Sequence, residues 1–446
     1  MSTRQLHTPW LWIPSLFMAE EIPSAVVVYV ALIMFLQFGA NQTMAAVYSG
    51  LLFLPWTLKS YLYTKVQKAS SFKGRIHLVE LLMLLCLMGI AVYLSECKVK
   101  DWVLFLFLFV LSFLCAWHEL LSRICYDRML TPREQRIYGN IKMLSSQMSL
   151  IVTYGLLIIV AGFFEVFFRS YQKAWAMESS LVAGGFLVFC MANAIFLRHP
   201  RHWQRYRYES VAHAVKNELH VIGRIRQKPR FFPVLFCLFF LLLPQALMFN
   251  TRVFFLFAPA DDGGLACSVQ DVGFAQGTIG VIAFSIGLMG GRFMMERWGE
   301  CRMFWTQIFM LTLSPLFYML MSMYPQPGNL PLICCVTFMA QLFFGVGLNV
   351  CRVFVRYMSG SRYANTLNFL YVPLVATAMM LPMMASGYLC SMLGYAHFFL
   401  LNTLMAPLAW VAIYGCRIHQ VVAESQPIIV NSQLSTVNSH ETESSC

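Results

Sequence analysis

The sequence predicts an all-α polytopic membrane protein with about twelve transmembrane helices in two six-helix halves. Hydrophobic residues make up 59% of the 446 residues, and the mean hydropathy is +0.64. Charged residues make up only 12%, whereas soluble domains carry about 25%. Apolar runs long enough to cross a bilayer, which takes about 20 residues, recur along the whole chain. These observations exclude a single soluble core.

The predicted spans follow from these apolar runs. In the N-terminal half they cover 11–39, 44–63, 76–95, 102–121, 143–164 and 179–197. In the C-terminal half they cover 231–257, 273–295, 303–323, 330–350, 363–387 and 395–415. Acidic residues interrupt the first run and no small-residue cleavage site follows it, so we interpret it as an uncleaved first span rather than a signal peptide.

The longest connection divides the chain into the two halves, 1–197 and 231–418. The connection, 198–230, is rich in arginine, and its apolar residues recur at helical spacing. This pattern predicts an amphipathic helix on the inner membrane surface. A solvated charged linker is the alternative interpretation. The tail, 419–446, has little apolar content and is predicted to be a disordered cytoplasmic segment.

Charge is distributed unevenly between alternate loops. The net charge of +12 comes mainly from the loops around 65–75, 128–136, 297–302 and 352–362 and from the linker. Lys and Arg concentrate in cytoplasmic loops, so we expect both termini in the cytoplasm and no nucleic-acid partner. We expect the lipid bilayer to surround the spans.

Two adjacent carboxylates, Glu20 and Glu21, interrupt the first span. At 1.5 Å per residue, Glu20 lies about 14 Å along a helix that starts at Leu11, near the bilayer midplane. An ionised carboxylate there costs several kcal/mol unless it meets a wet cavity, a partner or a proton. The pair is therefore a candidate proton carrier and Glu20 a candidate substrate contact; a protonated carboxyl that serves helix packing is the alternative. Adjacent helical residues project about 100° apart, so we expect one to face a cavity and the other a neighbouring helix.

A second polar group lies in the fourth span. Glu119 and Arg123 are four residues apart and can pair on one helical face. We consider Glu119 a further proton-coupling candidate, and His118, Glu119 and Arg123 a candidate gate that opens as the pair breaks. A static ion pair at the helix end is the alternative. Lys59 is interpreted as extending towards the headgroups.

Polar residues in the C-terminal half are candidate substrate ligands. A buried arginine could bind a carboxylate bidentately, although interfacial anchoring is an alternative. The amides could bind sugar hydroxyls, although interhelical hydrogen bonds explain most such residues. The candidates are Gln245, Asn250, Arg252, Gln341 and Asn349.

No motif for hydrolysis, zinc binding or ATP binding occurs in the sequence. The cysteines lie mostly within apolar runs and lack metal-ligand spacing. We therefore expect no enzyme activity, no metal and no cofactor.

Six spans, a cytoplasmic linker and six more spans resemble the major facilitator superfamily, in which two halves rock around a midplane site. Within it the chain resembles the AmpG-type muropeptide permeases, or β-lactamase induction signal transducers. The matching stretches are Phe17-Met18-Ala19-Glu20-Glu21-Ile22-Pro23, Leu54-Pro55-Trp56-Thr57-Leu58-Lys59, Ala116-Trp117-His118-Glu119, Gly277-Thr278-Ile279-Gly280, Arg297-Trp298-Gly299, Met380-Leu381-Pro382 and Leu393-Gly394-Tyr395-Ala396-His397.

This resemblance implies a monomeric permease of the bacterial inner membrane that imports muropeptides or similar sugar-peptides with protons by alternating access. The implied site is shared by spans one, four, seven and ten. The family's glycine before the proline is Glu21 here, and several family charges are replaced by Gln67, Arg123, Gln245 and Ala340. An acyl-CoA carrier of the same superfamily, or a non-transporting sensor or scaffold, is therefore the alternative.

Overall fold

Long apolar helices make up the architecture. The computed structural model describes residues 9–59, 72–96, 98–197, 231–359 and 364–417, and within these ranges it contains helices and turns but no β-strand. Eleven of the described helices are long and apolar enough to cross a membrane. A helix pairs its backbone amides and carbonyls internally, which hydrocarbon requires.

The N-terminal half contains helices α1 to α6. Helix α1 comprises Pro9–Ala25, a π-helical segment at Val26–Val30, and Ala31–Gln37. Helix α2 comprises Gln42–Leu51 and Leu54–Thr57, and its described part is too short to be among the eleven. Helix α3 is Phe72–Glu96, and α4 is Asp101–Met129. Helix α5 comprises Pro132–Leu150, a π-helical segment at Ile151–Leu157, and Ile158–Phe168. Helix α6 is Tyr171–Phe196.

The C-terminal half contains helices α7 to α12. Helix α7 is Phe231–Phe257, and a short 3-10 turn follows at Ala260–Asp262. Helix α8 comprises Val269–Val272, a π-helical segment at Gly273–Gly280, and Val281–Trp298. Helix α9 is Glu300–Met323. Helix α10 comprises Leu330–Leu348 and Val350–Ser359. Helix α11 is Ala364–Leu393, and α12 is Tyr395–Gly415.

Helix α5 begins well before its predicted start at residue 143. Its first three turns, from Pro132, are polar, so an apolar run does not reveal them. A capping box defines the start: the Glu134 amide donates to the Thr131 hydroxyl at 3.3 Å, and the Thr131 amide donates to the Glu134 carboxylate at 2.8 Å. Each of these two hydrogen bonds satisfies a backbone amide that has no partner within the first turn of the helix.

The two halves meet along two helix pairs, α2 with α11 and α5 with α8. Glycines permit this close approach, since small residues let membrane helices pack with their backbones in contact. A Cβ atom on Gly277 of α8 would overlap the Tyr154 carbonyl oxygen of α5, and one on Gly50 of α2 would overlap Met384 of α11. Helix α8 lies six spans after α2, and α11 lies six spans after α5. The α5–α8 contact therefore repeats the α2–α11 contact with the roles of the two halves exchanged.

Hydrogen bonds also join the halves. The Gln42 amide donates to the Tyr395 hydroxyl at 2.6 Å, and the Ser285 hydroxyl donates to Gln147 at 2.6 Å. We call the end of the bundle at Gln37, Arg169 and Phe257 the distal end. The predicted amphipathic linker, 198–230, and the predicted tail, 419–446, lie outside the described residues.

Candidate functional site

A cavity of about 290 Å³ lies between the two halves beside the central turns of α1. We call it the central cavity. Helices α1, α2, α4, α5 and α11 form its wall. Its lining residues are Glu20, Glu21, Ser24, Ala25, Val28, Tyr29, Phe53, Trp56, Glu119, Leu150, Val372, Val375, Ala376 and Met379.

Both carboxylates of α1 line this cavity. The expectation that only one of Glu20 and Glu21 faces it is therefore wrong. The α1 lining residues fall into two adjacent i, i+4 rows, which begin at Glu20 and Glu21 respectively. Neighbouring rows are about 100° apart, so a cavity that covers a stripe of this width receives both side chains.

Glu20 is 7% exposed, and its Oε2 atom has no hydrogen-bond partner among the described residues. Its carboxylate is within electrostatic reach of Glu21, Glu119, Lys59 and Lys142. A buried polar atom without a partner costs about 1–3 kcal/mol. The orphaned oxygen is therefore available to a proton or a ligand in the cavity.

Glu119 reaches the cavity from α4 and pairs with α2. Its carboxylate forms an ion pair with Lys59, and the Trp56 indole donates to it at 2.9 Å. Lys59 is 1% exposed, so the interpretation that it extends to the headgroups is wrong: a buried carboxylate 60 positions away satisfies it instead. Arg123 lies within electrostatic reach of Glu119, so the predicted neighbours share one charged cluster with Lys59.

His118 belongs to a different cluster. It faces α3 and α6, where its ring contacts the Glu80 carboxylate at 3.4 Å. Glu80 also bonds His77 at 2.9 Å and accepts a hydrogen bond from Asn193 at 2.6 Å. His118 and Glu119 project in directions about 100° apart, and the grouping of His118 with the predicted gate is therefore wrong.

The amides of the C-terminal half bind protein atoms. Gln245 donates to the Leu311 carbonyl at 3.0 Å, and Asn349 donates to the Leu288 carbonyl at 3.1 Å. Asn250 accepts from the Ser49 hydroxyl at 3.1 Å and so links α7 to α2. Gln341 is 7% exposed. None of the four is on the central cavity wall.

Arg252 is 6% exposed, its guanidinium lies 5.1 Å from the Phe249 ring centroid, and its Nε atom has no hydrogen-bond partner. This burial excludes the interfacial anchor. The Phe249 ring lies 5.6 Å from that of Tyr29, which in turn stacks on Tyr154 at 4.6 Å. These rings form an aromatic layer between the central cavity and the distal end.

Among the described residues, spans seven and ten, which we expected to share the site, contribute none to the cavity wall. Helix α11 provides the C-terminal wall instead. It contains Pro373 and Pro382, and it packs closely on α2, where a Cβ atom on Gly387 would overlap the Gln42 carbonyl oxygen. The Tyr29 ring lines the cavity and packs on Phe249 of α7 at 5.6 Å.

A second cavity, of about 660 Å³, lies at the distal end. Its wall includes Glu165 and Arg169 of the α5 end and Gln270 of α8. Gln37 donates to Glu165 at 3.0 Å and accepts a hydrogen bond from the Trp175 indole. These bonds join α1, α5 and α6 at this end of the bundle.

Lys142 was missed by sequence reasoning because it lies in the polar turns of α5 that no apolar run revealed. Its Nζ atom is 4.3 Å from the Phe17 ring centroid and 4.8 Å from that of Tyr126. Trp56 was predicted to belong to the matching stretch 54–59 but was given no role of its own. The indole of Trp56 within a predicted span was a signal that could have found that residue, whereas hydropathy offered none for Lys142.

Comparison with known proteins identifies the fold. No family model and no curated protein sequence matches the chain. The nucleoside transporter NupG has a TM-score of 0.66 at 14% identity, over 92% of this chain and 99% of that one. A bacterial homologue of the lysosomal transporter Spinster has a TM-score of 0.67 at 11% identity, over 94% and 98%. The xylose transporter XylE from E. coli has a TM-score of 0.60 at 12% identity, over 90% and 94%.

These structures share the major facilitator fold, and the predicted fold class is confirmed. The chain is a multi-pass membrane protein with two six-helix halves that enclose a carboxylate-lined cavity. Identities this low carry the fold alone, and the AmpG-type resemblance remains a prediction.

Proposed function

We propose that this protein is a secondary-active transporter that works by alternating access and couples solute movement to protons through Glu20, Glu21 and Glu119. The single observation that carries the proposal is the unpartnered, buried carboxylate oxygen of Glu20 on the wall of a cavity between the two halves. The likeness of the fold to several solute transporters supports it. Proton gradients drive such carriers through titratable groups inside the membrane.

The charges around the cavity provide a physical basis for coupling. Glu20, Glu21 and Glu119 face Lys59 of α2, Arg123 of α4 and Lys142 of α5. Ionised, the three acids balance the three bases. A proton on Glu20 removes one attraction to α2 and α5 and leaves the bases in excess. Because α2 and α5 pack closely on the other half, protonation at α1 alters the charge balance at both of these interfaces.

The finer expectations come from the sequence resemblance. They are import of muropeptides or similar sugar-peptides together with protons, a monomeric carrier, and an inner-membrane location with cytoplasmic termini. The closely packed α2–α11 and α5–α8 pairs support alternating access, since the halves can separate at one pair of ends while they stay in contact at the other.

The test is uptake of labelled muropeptide into proteoliposomes with and without a pH gradient. We expect uptake in wild type to rise with the gradient, and the Glu20→Gln variant to lose this rise because its amide cannot take up a proton. Glu178→Gln is the matched control: Glu178 is a buried carboxylate of α6 outside the cavity wall. Its uptake should keep the gradient dependence.

Three outcomes contradict parts of the proposal. If Glu20→Gln takes up muropeptide at the wild-type rate and with the wild-type dependence on the proton gradient, Glu20 is not the proton carrier. Exchange of acyl-CoA esters in place of muropeptide uptake points to the rival carrier. Absence of any solute or proton flux supports the sensor or scaffold.

A further inference from the structure

We infer that the central cavity selects a compact organic cation with an apolar body. This inference rests on the proposed transporter function and names its substrate class. The juxtaposition that carries it is an orphaned Glu20 oxygen, a set of three aromatic side chains and an apolar opposite wall around one small cavity.

Charge on the cavity wall is of one sign. The charged side chains among the described lining residues are all carboxylates: Glu20, Glu21 and Glu119. Of the nearby cations, Lys59 pairs with Glu119, and Lys142 lies against the faces of two rings. Arg252 is within electrostatic reach of Tyr29, but it lies against the Phe249 ring and is not among the described residues of the cavity wall. Arg123 is within reach of Glu119 and Lys59. The α11 wall adds no charge. A bound solute therefore faces Glu20 and Glu21 without an intervening base.

Aromatic side chains complete a site of the kind that binds cations. Tyr29, Phe53 and Trp56 line the cavity beside the carboxylates. Phe53 is held by an edge contact to Phe249 at 5.9 Å and by Trp56 at 6.2 Å. Attraction between a cation and a ring face is stronger when both are removed from water. The rings are thus positioned to hold an ammonium group next to Glu20.

The rest of the wall does not suit a sugar. The α11 side consists of Val372, Val375, Ala376 and Met379, which offer no hydrogen bond to a hydroxyl. On the other side, the Ser24 hydroxyl already donates to the Glu20 carbonyl at 2.8 Å, and the Trp56 indole donates to Glu119. A solute with hydroxyls all round could pair some of them with the carboxylates but would leave those that face α11 unpaired, at a cost for each.

The volume agrees with a small ligand. A cavity of about 290 Å³ equals about ten water molecules at their volume in the liquid. A compact amphiphile fits this space. A cation and a proton then compete for the same carboxylates, so binding of the cation releases a proton from Glu20 or Glu21 to solvent.

The experiment measures binding of tritiated phenyltrimethylammonium to the purified full-length protein. We expect saturable binding that weakens about tenfold for each unit of acidification below the pH at which the free site takes up its proton, because binding then exchanges one proton. The affinity should fall about tenfold or more in Glu20→Gln and about fivefold in Trp56→Leu. The control Glu178→Gln should bind like wild type. Excess tert-butylbenzene, the neutral carbon analogue, should not compete.

Several results overturn the inference: no saturable binding, equal competition by tert-butylbenzene, or unchanged affinity in a folded Glu20→Gln variant. Gradient-driven muropeptide uptake without cation binding retains the proposed transporter and overturns the cation site. Cation binding with the expected pH and variant dependence, but without gradient-driven flux of the cation or of protons, supports the site and contradicts the transporter.

Discussion

Replacement of Gly277 by alanine should open the distal end of the protein. In the structure α5 and α8 touch there through glycine backbones. The new methyl group of Gly277→Ala would overlap the Tyr154 carbonyl oxygen, a backbone atom that cannot turn aside. Gly155, on the facing helix, is similarly close: its added Cβ would lie 2.6 Å from the Thr278 hydroxyl oxygen. The overlap exists only while the two helices are in contact.

The size of the effect follows from this geometry. Overpacking of a close contact costs about 1–3 kcal/mol. We take about 2 kcal/mol for one methyl group against backbone. The state with separated helices does not pay this cost, so the ratio of open to closed distal ends should rise about 30-fold. A transporter whose two states differ by a few kcal/mol would then change its resting state.

Hydrogen–deuterium exchange of the detergent-purified protein measures this shift. We expect Gly277→Ala to raise exchange in 151–168 and 269–280, and to lower it in 372–379 as the opposite end closes. General destabilisation would raise exchange everywhere. Gly184→Ala is the matched control, since a Cβ on Gly184 meets nothing within 4 Å. If Gly277→Ala and Gly184→Ala give the same exchange pattern, the close α5–α8 contact does not govern access.

Three further predictions concern thermal stability of the purified protein, each measured as a melting temperature against wild type. Lys59→Met should destabilise the protein by about 3 kcal/mol, because it leaves the Glu119 carboxylate buried without its base. Addition of Glu119→Gln to this variant should recover most of the lost stability. If the losses of the two single variants simply add, the Lys59–Glu119 pairing is contradicted. Asn250→Ala should cost about 1 kcal/mol, because Asn250 makes two interhelical hydrogen bonds, with Ser49 and with the Met383 carbonyl, each worth about 0.6 kcal/mol. A loss of several kcal/mol would indicate a larger role. Thr131→Ala should cost about 1 kcal/mol through its capping box, while Thr131→Ser should be near neutral; equal losses would argue against the cap.

The class of the protein, its helix number and the exceptional position of Glu20 follow from the sequence, because each depends on local quantities. Span length and hydropathy need only neighbouring residues, and the cost of a carboxylate at bilayer depth needs only a helical rise. The start of α5 escaped this reasoning for the same reason, since its polar turns carry no hydropathy signal.

The partners of the polar groups depend on the tertiary structure, because they lie far away along the chain. Lys59 finds Glu119 on another helix, while His118, next to Glu119 in sequence, turns to Glu80. The amide of Gln245 is satisfied by a carbonyl of α9. Hydropathy gives each polar group its depth in the bilayer, but only the packing of helices decides which groups meet in a cavity and which satisfy one another.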